Sequence, residues 1–288
     1  MKSPLKTIPG FNAKLSNWSH IKIGSDDGFV YLPVDYHQLQ ICLRNLPDIG
    51  LRPLPLGAGS NILFGNTSAY ALISDKHLPH FWRIEHNRVV VSANYNITQL
   101  IMVLAKNNLG GLEFLAGIPA HLGGLTHMNA GAYGHSIAHF VHQVRLITLQ
   151  GEDITLNSEE IIFNYRYSSL EGFITEITLN LPSIPETEIR KTAKSYIMSR
   201  QAKQPLHYPN LGSVFKNPPH YFAGQLLEKA GFKGKRKGGV AFSDIHANFL
   251  VNIDHGSFQD AYELIREARA EILETFDIAL ETEIKVIN

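Results

Sequence analysis

The stretch LGGLEFLAGIPAHLGGLTHMNAGAYG, residues 109–134, holds seven glycines among apolar side chains such as Leu112, Phe114, Leu115 and Ile118. The apolar side chains predict burial, whereas glycine permits left-handed backbone conformations and the close approach of another molecule. The combination therefore predicts a buried segment whose bare backbone lies against a ligand.

A second glycine-containing turn comes earlier, in the sequence PLPLGAGSN, residues 53–61. An apolar strand runs here into small residues that expose successive backbone N–H groups, which suits an anion. The turn lacks the Lys-Ser/Thr ending of a nucleotide P-loop and the third glycine of a dinucleotide fingerprint. Taken alone, it favours an ordinary strand-to-turn connection. The residues that would cradle an anion are Gly57, Gly59, Ser60 and Asn61.

Two such turns in one chain change that interpretation. A ligand with a pyrophosphate and a large flat ring needs close backbone approach in one part and apolar cover in another. A flavin dinucleotide has both features, so FAD is the predicted cofactor. In the longer stretch, the predicted cofactor-binding residues are Gly117, Ile118, Pro119, Gly123, Gly124, Asn129, Ala130 and Gly131.

Composition argues against nucleic-acid binding and against membrane insertion. Lys and Arg together number 26 among the 288 residues, as do Asp and Glu, so no net charge is present to hold nucleic acid. The single cysteine, Cys42, lies among leucines at helical spacing, which predicts a buried thiol. No signal peptide and no run of roughly 18 apolar residues is evident. A cytoplasmic protein without membrane insertion is expected, and the oligomeric state stays open.

Strand-like and helix-like periods alternate along the chain and predict an α+β fold. FWRIEH and RVVVSA are expected to form a hairpin about His86-Asn87, and NITQLIMVLAKNN a helix capped by Asn96. VRLITL, DITLN and FITEITLNLP predict a mostly antiparallel sheet.

The last third begins after a polar, proline-bearing segment that predicts a domain boundary near residue 183. A long helix is expected to start at Ser257, with Asp260 completing a capping box. The closing sequence IALETEIKVI predicts a final strand, which would place Glu281, Glu283 and Lys285 on one face.

Five motifs along the chain, taken together, resemble those of one enzyme family. GLEFLAGIPAHLGGLTHMNAGAYG, PLPLGAGSN, YRYS at 165–168, GSVFKNP at 212–218 and SDIHANFLVN at 243–252 resemble the UDP-N-acetylenolpyruvoylglucosamine reductases, also called UDP-N-acetylmuramate dehydrogenases. The resemblance covers most of the chain from about residue 50 onward. Because the substrate-covering insertion is missing, the chain resembles the shorter type.

This resemblance implies a fold and a reaction. It implies a vanillyl-alcohol-oxidase-like FAD-binding region of two subdomains, residues 1–68 and 69–182, followed by an α+β substrate-binding domain, residues 183–288. NADPH would reduce bound FAD, and the flavin would pass hydride to the enolpyruvyl double bond of a UDP-sugar. The product would be UDP-N-acetylmuramate, a precursor of peptidoglycan.

The resemblance also implies roles for three side chains. Ser213 matches the family's proton donor, Arg166 a residue that polarises the substrate carboxylate, and Glu283 an acidic partner. Arg suits a carboxylate because its guanidinium can bind both oxygens. Serine is a weak acid and depends on a neighbour such as Lys216. Glu281 could reach the same cavity and is not separated from Glu283.

Other positions carry weaker assignments. Asn217 and His246 match substrate contacts of the family, and Tyr133 with Lys216 is placed in the same cavity. His246 is equally compatible with a structural histidine, and Tyr165 with core packing. The basic run at residues 233–237 favours a solvated turn over substrate steering. No metal site is expected, because the histidines between residues 121 and 142 lack ligand-like spacing.

The chain departs from the family pattern at two places. Gly24-Ser25 replaces paired glycines, and Ala120-His121 stands where the family commonly has Gly-Thr. The methyl group of Ala120 is expected to strain a loop position with positive φ. The hypothesis is that flavin affinity or geometry differs from typical members while the chemistry is retained.

Two other functions compete with the reductase. A catalytically silent relative that binds flavin or nucleotide sugar is disfavoured by the presence of Arg166, Ser213 and Glu283. A flavin oxidase is disfavoured by GSVFKNP and SDIHANFLVN, which belong to the substrate domain of the family that the chain resembles.

Overall fold

The computed structural model describes residues 8–85 and 88–288. Within them the helices are α1 (Tyr36–Asn45), α2 (Ile97–Lys106), α3 (Leu122–His127), α4 (Glu186–Lys203), α5 (Ala223–Lys229) and α6 (Phe258–Phe276). The first strands are β1 (Gly10–Ala13), β2 (Gly28–Tyr31), β3 (Arg52–Leu56), β4 (Ile62–Phe64), β5 (Tyr70–Ser74), β6 (Trp82–Glu85), β7 (Arg88–Ser92), β8 (Gly131–Ala132), β9 (His135–Ser136) and β10 (Val141–Ile147). The later strands are β11 (Asp153–Asn157), β12 (Phe163–Asn164), β13 (Tyr167–Ser168), β14 (Phe173–Asn180), β15 (Asn210–Ser213), β16 (Arg236–Lys237), β17 (Val240–Phe242), β18 (Phe249–Asn252) and β19 (Lys285–Ile287).

The chain divides into two compact units that interleave along the sequence. The first unit comprises the described residues up to Asn12, Phe29–Ala58 and Ala69–Ser199. The second comprises Ala13–Gly28, Gly59–Ser68 and Arg200–Asn288. The division of the sequence into consecutive ranges at residues 68 and 182 stays a prediction.

Two sheets of the first unit have four or more strands. One has the strand order β1-β2-β5-β3, with β5 parallel to both β2 and β3. The other has the order β11-β10-β14-β7-β6 and is antiparallel throughout, as the sequence predicted. β6 and β7 pair as expected, while the proposed turn at His86-Asn87 lies outside the described residues.

Helix α2 starts where the sequence predicted. The side chain of Asn96 accepts hydrogen bonds from the backbone N–H groups of Thr98 and Gln99, which satisfies donors that lack partners inside the helix. Its apolar face is buried with β7 and β14 in the larger core of the first unit.

Helix α1 packs Cys42 into a separate core, where burial raises the pKa of the thiol to about 12. Cys42 is therefore a buried thiol, as predicted.

The second unit packs the sheet β15-β18-β17-β16 against α6. A capping box between Ser257 and Asp260 begins α6, as predicted. The early residues Ile21, Ile23 and Leu63 belong to the same core. This burial explains why two short N-terminal segments group with the last third of the chain.

The predicted closing strand is wrong over its first part. Only Lys285–Ile287 forms a strand, β19, which pairs in parallel with β4. The preceding backbone is engaged elsewhere, because Glu281 O accepts from Lys216 N and Glu283 N donates to Val214 O. Apolar alternation could not reveal this competing set of hydrogen bonds.

Truncating Leu264 tests the packing of the second unit. Leu264 is fully buried on α6, and Leu264→Ala is expected to lower the free energy of unfolding by about 2–5 kcal/mol through lost burial and a cavity. Leu273→Ala on the same helix is the control, because that side chain is 49% exposed. Equilibrium urea unfolding measures both variants, and equal losses would contradict the assigned core face.

Candidate functional site

The candidate cofactor region of the first unit starts at one edge of a parallel sheet. Register pairs Leu56 of β3 with Ser74 of β5, so both strands end together. Gly57 follows the first strand and Asp75 the second, and Asp75 N donates to Leu56 O at 3.1 Å. Parallel strands thus bring the predicted anion turn beside a carboxylate.

The second predicted loop reaches the same place through His121. Its Nδ1 lies 2.7 Å from Oδ2 of Asp75. A Cβ built on Gly57 would lie 3.5 Å from that oxygen and 3.7 Å from His121 Nδ1. Two loops that are distant in sequence therefore meet in the first unit at Gly57, Asp75 and His121.

Backbone hydrogen bonds hold the second loop in position. Leu122 N donates to Tyr95 O at 2.9 Å, and Gly123 N donates to Ala93 O at 2.8 Å. Both acceptors belong to the segment that joins β7 to α2. The loop that contains His121 is consequently fixed by the element packed beside it.

The expected strain at Ala120 is wrong. Ala120 is not among the described residues that have a positive φ, whereas the nearby Gly117 adopts φ +84°. Ala120 N donates to Ile118 O at 2.9 Å, and Ala120 O accepts from Ile97 N at 3.1 Å. The side chain is buried in the core, so its methyl group contributes packing.

The other atypical segment, Gly24-Ser25, lies in the second unit. A Cβ on Gly24 would approach Leu15 to 2.8 Å, so glycine is needed there for close packing. Ser25 O accepts from Leu15 N at 2.8 Å, while the buried Ser25 Oγ has no hydrogen-bond partner. The segment is therefore closely packed despite its departure from the family pattern.

The remainder of the predicted anion turn lies in the second unit. Gly59 has φ +71°, and a Cβ there would collide with the carbonyl oxygen of Trp18. Ser60 follows it within the turn. Asn61 donates from Nδ2 to Glu283 O at 3.1 Å, and its own carbonyl accepts from Lys285 N at 3.0 Å. Asn61 is thus hydrogen-bonded to the C-terminal segment at two positions, a structural role that sequence reasoning did not assign.

The first unit also gathers Asn129, Gly131, Tyr133 and Arg166. Asn129 donates from Nδ2 to Asn164 O at 2.8 Å, which joins its turn to the hairpin of β12 and β13. A Cβ on Gly131 would lie 3.3 Å from Arg166 Nη1. The sequence-predicted Arg166 therefore lies beside part of the predicted cofactor stretch.

Backbone conformation around Arg166 is unusual for residues with side chains. Asn129, Tyr133 and Arg166 have φ values of 43°, 53° and 54°, in the left-handed region. Such conformations cost free energy and concentrate at functional sites. Tyr133 stacks on Tyr196 with ring centroids 4.3 Å apart, and Arg166 Cζ lies 5.0 Å from the ring centroid of Tyr165.

Tyr165 itself is 52% exposed, so the core-packing alternative for this residue is wrong. Its ring instead contributes to an exposed aromatic surface beside Arg166. Tyr133 and Arg166, the candidate substrate-facing residues of the first unit, therefore lie in two turns at its surface, between β8 and β9 and between β12 and β13.

The second unit brings Ser213, Lys216, Glu281 and Glu283 into adjacent backbone segments. Glu283 N donates to Val214 O at 2.8 Å, and Lys216 N donates to Glu281 O at 2.9 Å. Lys216 Nζ lies 2.6 Å from Glu281 Oε1. Glu281 is largely exposed, whereas Glu283 is half-buried. Ser213 and Glu283 belong to the second unit, while Arg166 belongs to the first.

Asn248 fixes this region and was not singled out by sequence reasoning. Its Oδ1 accepts from Phe215 N at 3.0 Å, and its Nδ2 donates to Phe215 O at 2.8 Å. The predicted Asn217 accepts from Ala223 N at 3.0 Å at the start of α5. The available signal was an Asn directly before a strand of buried residues, since a buried amide has to be hydrogen-bonded.

His246 has a structural hydrogen bond. Its Nδ1 accepts from Asn248 N at 3.2 Å, and burial lowers the pKa of its imidazole, so the ring is neutral near pH 7. This geometry supports the structural alternative, and a substrate contact stays a prediction.

The basic run at residues 233–237 is paired with carboxylates of the second unit. Lys233 contacts Glu228, Lys235 contacts Glu267, and Lys237 contacts two glutamates of α6. Hydrogen bonds to those glutamates raise the pKa of Lys237. Such pairing favours a neutralised surface turn over substrate steering.

The described residues contain no group of three or more His, Cys, Asp or Glu side chains placed to hold a metal ion. Nor does any helix among them have the length and apolar character needed to cross a membrane.

Comparison with known proteins identifies the chain as a flavoprotein. Residues 28–157 match the family described as FAD binding domain. Residues 204–287 match the family described as UDP-N-acetylenolpyruvoylglucosamine reductase, C-terminal domain. The chain belongs to the UDP-N-acetylenolpyruvoylglucosamine reductase family.

Relatives support this membership along nearly the whole chain. The UDP-N-acetylenolpyruvoylglucosamine reductase of Geobacillus kaustophilus is 35% identical over 278 residues, which are 95% of this chain and 91% of that protein. The enzyme of the same name from Moorella thermoacetica is 36% identical over 280 residues, or 96% and 92%. The reductase structure from Thermus caldophilus matches with a TM-score of 0.83 at 26% identity and covers 98% of this chain and 100% of its own.

The residues of the first unit fit FAD on their own geometry. Asp75 Oδ1 is buried without a hydrogen-bond partner, beside the bare backbone of Gly57. Apart from its own helix and chain neighbours, no described heavy atom lies within 4 Å of a Cβ built on Gly124. Small residues at both predicted loops, together with the Asp75–His121 pair, therefore leave room for a ligand.

Adjacent glycines give a direct test of cofactor contact. Gly124→Ala is expected to leave the ligand-free protein equally or more stable, because Ala favours helix by about 1 kcal/mol. It is expected to weaken FAD binding at least about fivefold, since an extra methyl group in a packed contact costs about 1–3 kcal/mol. FAD titration of the deflavinated protein measures the affinity.

Gly123→Ala is the matched comparison. A Cβ at Gly123 would lie 2.9 Å from Ala93 Cβ, so this variant is expected to lose thermal stability without added ligand. An FAD affinity of Gly124→Ala within twofold of the wild type would remove Gly124 from the cofactor site.

Proposed function

We propose that the chain reduces UDP-N-acetylglucosamine enolpyruvate to UDP-N-acetylmuramate in peptidoglycan precursor synthesis, with FAD as cofactor and NADPH as the hydride source. The observation that carries this proposal is its family membership over nearly the full length of both chains. FAD, when bound, supplies the hydride that one carbon of the enol ether receives.

The proposed role of Ser213 is to protonate the other carbon of the double bond. Ser213 ends β15, and Val214 immediately after it is held by hydrogen bonds to Asn248 O and from Glu283 N. This backbone ladder fixes the hydroxyl on a rigid strand end, as proton transfer requires. Addition of one hydride and one proton balances the conversion of the enol ether to a saturated ether.

Arg166 is proposed to bind the substrate carboxylate. Negative charge develops on this group when hydride adds to the conjugated double bond, and a guanidinium stabilises it with two parallel hydrogen bonds. The left-handed φ of Arg166 and its contact with the Tyr165 ring restrict the side chain before substrate binds. Preorganisation of this kind reduces the entropy lost on binding.

The acidic role is assigned to Glu283 rather than to Glu281. Glu281 is largely exposed and already pairs with Lys216, whereas Glu283 is half-buried on the segment bound to Val214. Lys216 and Asn217, together with Tyr133 and His246, are proposed to contact the UDP-sugar. Lys216 would also stabilise the alkoxide left on Ser213.

Ser213→Ala separates the two half-reactions. In the purified holoenzyme, NADPH is expected to bleach the flavin absorbance at the wild-type rate. Reoxidation by the enolpyruvyl substrate is expected to slow about 10²–10⁴-fold, the range that general acid catalysis contributes. Stopped-flow absorbance measures both steps.

Ser195→Ala is the control, because Ser195 is an exposed residue of α4 that bonds within its own helix. Normal reoxidation in Ser213→Ala would remove Ser213 as the proton donor. Absence of any substrate-dependent NADPH oxidation by FAD-replete wild-type protein would instead favour the catalytically silent alternative.

A further inference from the structure

The first unit buries two acidic side chains with different surroundings. Glu113 accepts from Gly111 N at 2.9 Å with one carboxylate oxygen and at 3.0 Å with the other. Asp75 has one oxygen bound to His121, while its Oδ1 is buried without a partner. A buried polar atom without a hydrogen bond is unfavourable, so the Asp75 carboxylate relies on His121 for its side-chain hydrogen bond.

The pair formed by Asp75 and His121 lies where the two glycine loops of the first unit meet. The Asp75 side chain is 8% exposed and the His121 side chain 24% exposed. Gly57 is adjacent to both side chains, because a Cβ built on it would lie 3.5 Å from Asp75 Oδ2 and 3.7 Å from His121 Nδ1. Any ligand laid along the bare backbone of Gly57 therefore passes beside the imidazole.

Charge decides what such a pair can do beside an anion. A lone carboxylate repels a diphosphate, whereas a carboxylate paired with an imidazolium carries no net charge and presents an N–H donor. When a carboxylate binds one ring nitrogen, it fixes the orientation of the ring and the role of the other nitrogen. The buried Asp75 is thus suited to hold His121 rather than to contact an anion itself.

We propose that His121 is a cofactor-binding residue that donates a hydrogen bond to the diphosphate of FAD, and that Asp75 is the positioning residue that holds its imidazole. This inference rests on the proposed use of FAD. Nδ1 of the imidazole stays at Asp75 Oδ2, and Nε2 is the donor to a phosphate oxygen. Recognition at this position therefore comes from an imidazole that stands where the family commonly has a hydroxyl.

The test measures cofactor affinity and the phosphorus signature of bound FAD. In FAD titrations of the deflavinated full-length protein, His121→Ala is expected to bind about 10- to 100-fold more weakly, the loss typical of a hydrogen bond to a charged group. Asp75→Asn is expected to weaken binding similarly, and the double variant no further. The ³¹P resonance of one phosphate of bound FAD is expected to shift in His121→Gln.

His77→Ala is the matched control, because His77 is an exposed histidine two residues beyond Asp75. An affinity within twofold of the wild type together with unchanged ³¹P resonances would overturn the proposal, even where thermal stability falls. If His121→Ala does not fold, His121→Gln and Asp75→Asn decide by the same two readouts. Wild-type protein that binds no FAD would overturn both the cofactor assignment and this proposal, whereas FAD binding that both variants leave unchanged would overturn this proposal alone.

Discussion

The parallel pairing of β3 with β5 is the constraint on which the first unit's candidate site depends. Parallel strands end at the same edge of a sheet, so the residues that follow them are brought together without any direct link in sequence. Here those residues are Gly57 and Asp75. The glycine offers backbone and the carboxylate fixes a histidine from a third segment, so a single register sets the geometry of three loops.

The second unit likewise depends on backbone hydrogen bonds between distant segments, here near the end of the chain. The segment around Glu283 bonds to the segment after Ser213, and β19 then pairs with β4. Asn61 donates to Glu283 O and accepts from Lys285 N, which fastens both parts. The residues at the end of the chain are therefore part of the support for the proposed proton donor.

Local signals in the sequence predicted a large part of this fold. The caps at Asn96 and Ser257, the buried Cys42 and the antiparallel sheet each follow from interactions between residues near in sequence or from simple alternation. The interleaved units and the irregular backbone around Glu283 did not follow, because they depend on hydrogen bonds between distant segments. Apolar periodicity reports which face is buried and carries no information on the partner.

Site residues divide along the same line. Motifs located the two glycine loops and singled out Arg166, which the structure places beside Gly131. They did not point to Asp75, a lone carboxylate after a buried strand. The strain predicted at Ala120 was wrong, because it depends on the backbone angle φ, which the motif does not determine. Ala120 packs into the core, and the neighbouring His121 is held by a buried carboxylate. Both atypical residues therefore have partners in the first unit, so the departure from the family pattern does not leave the loop unsupported.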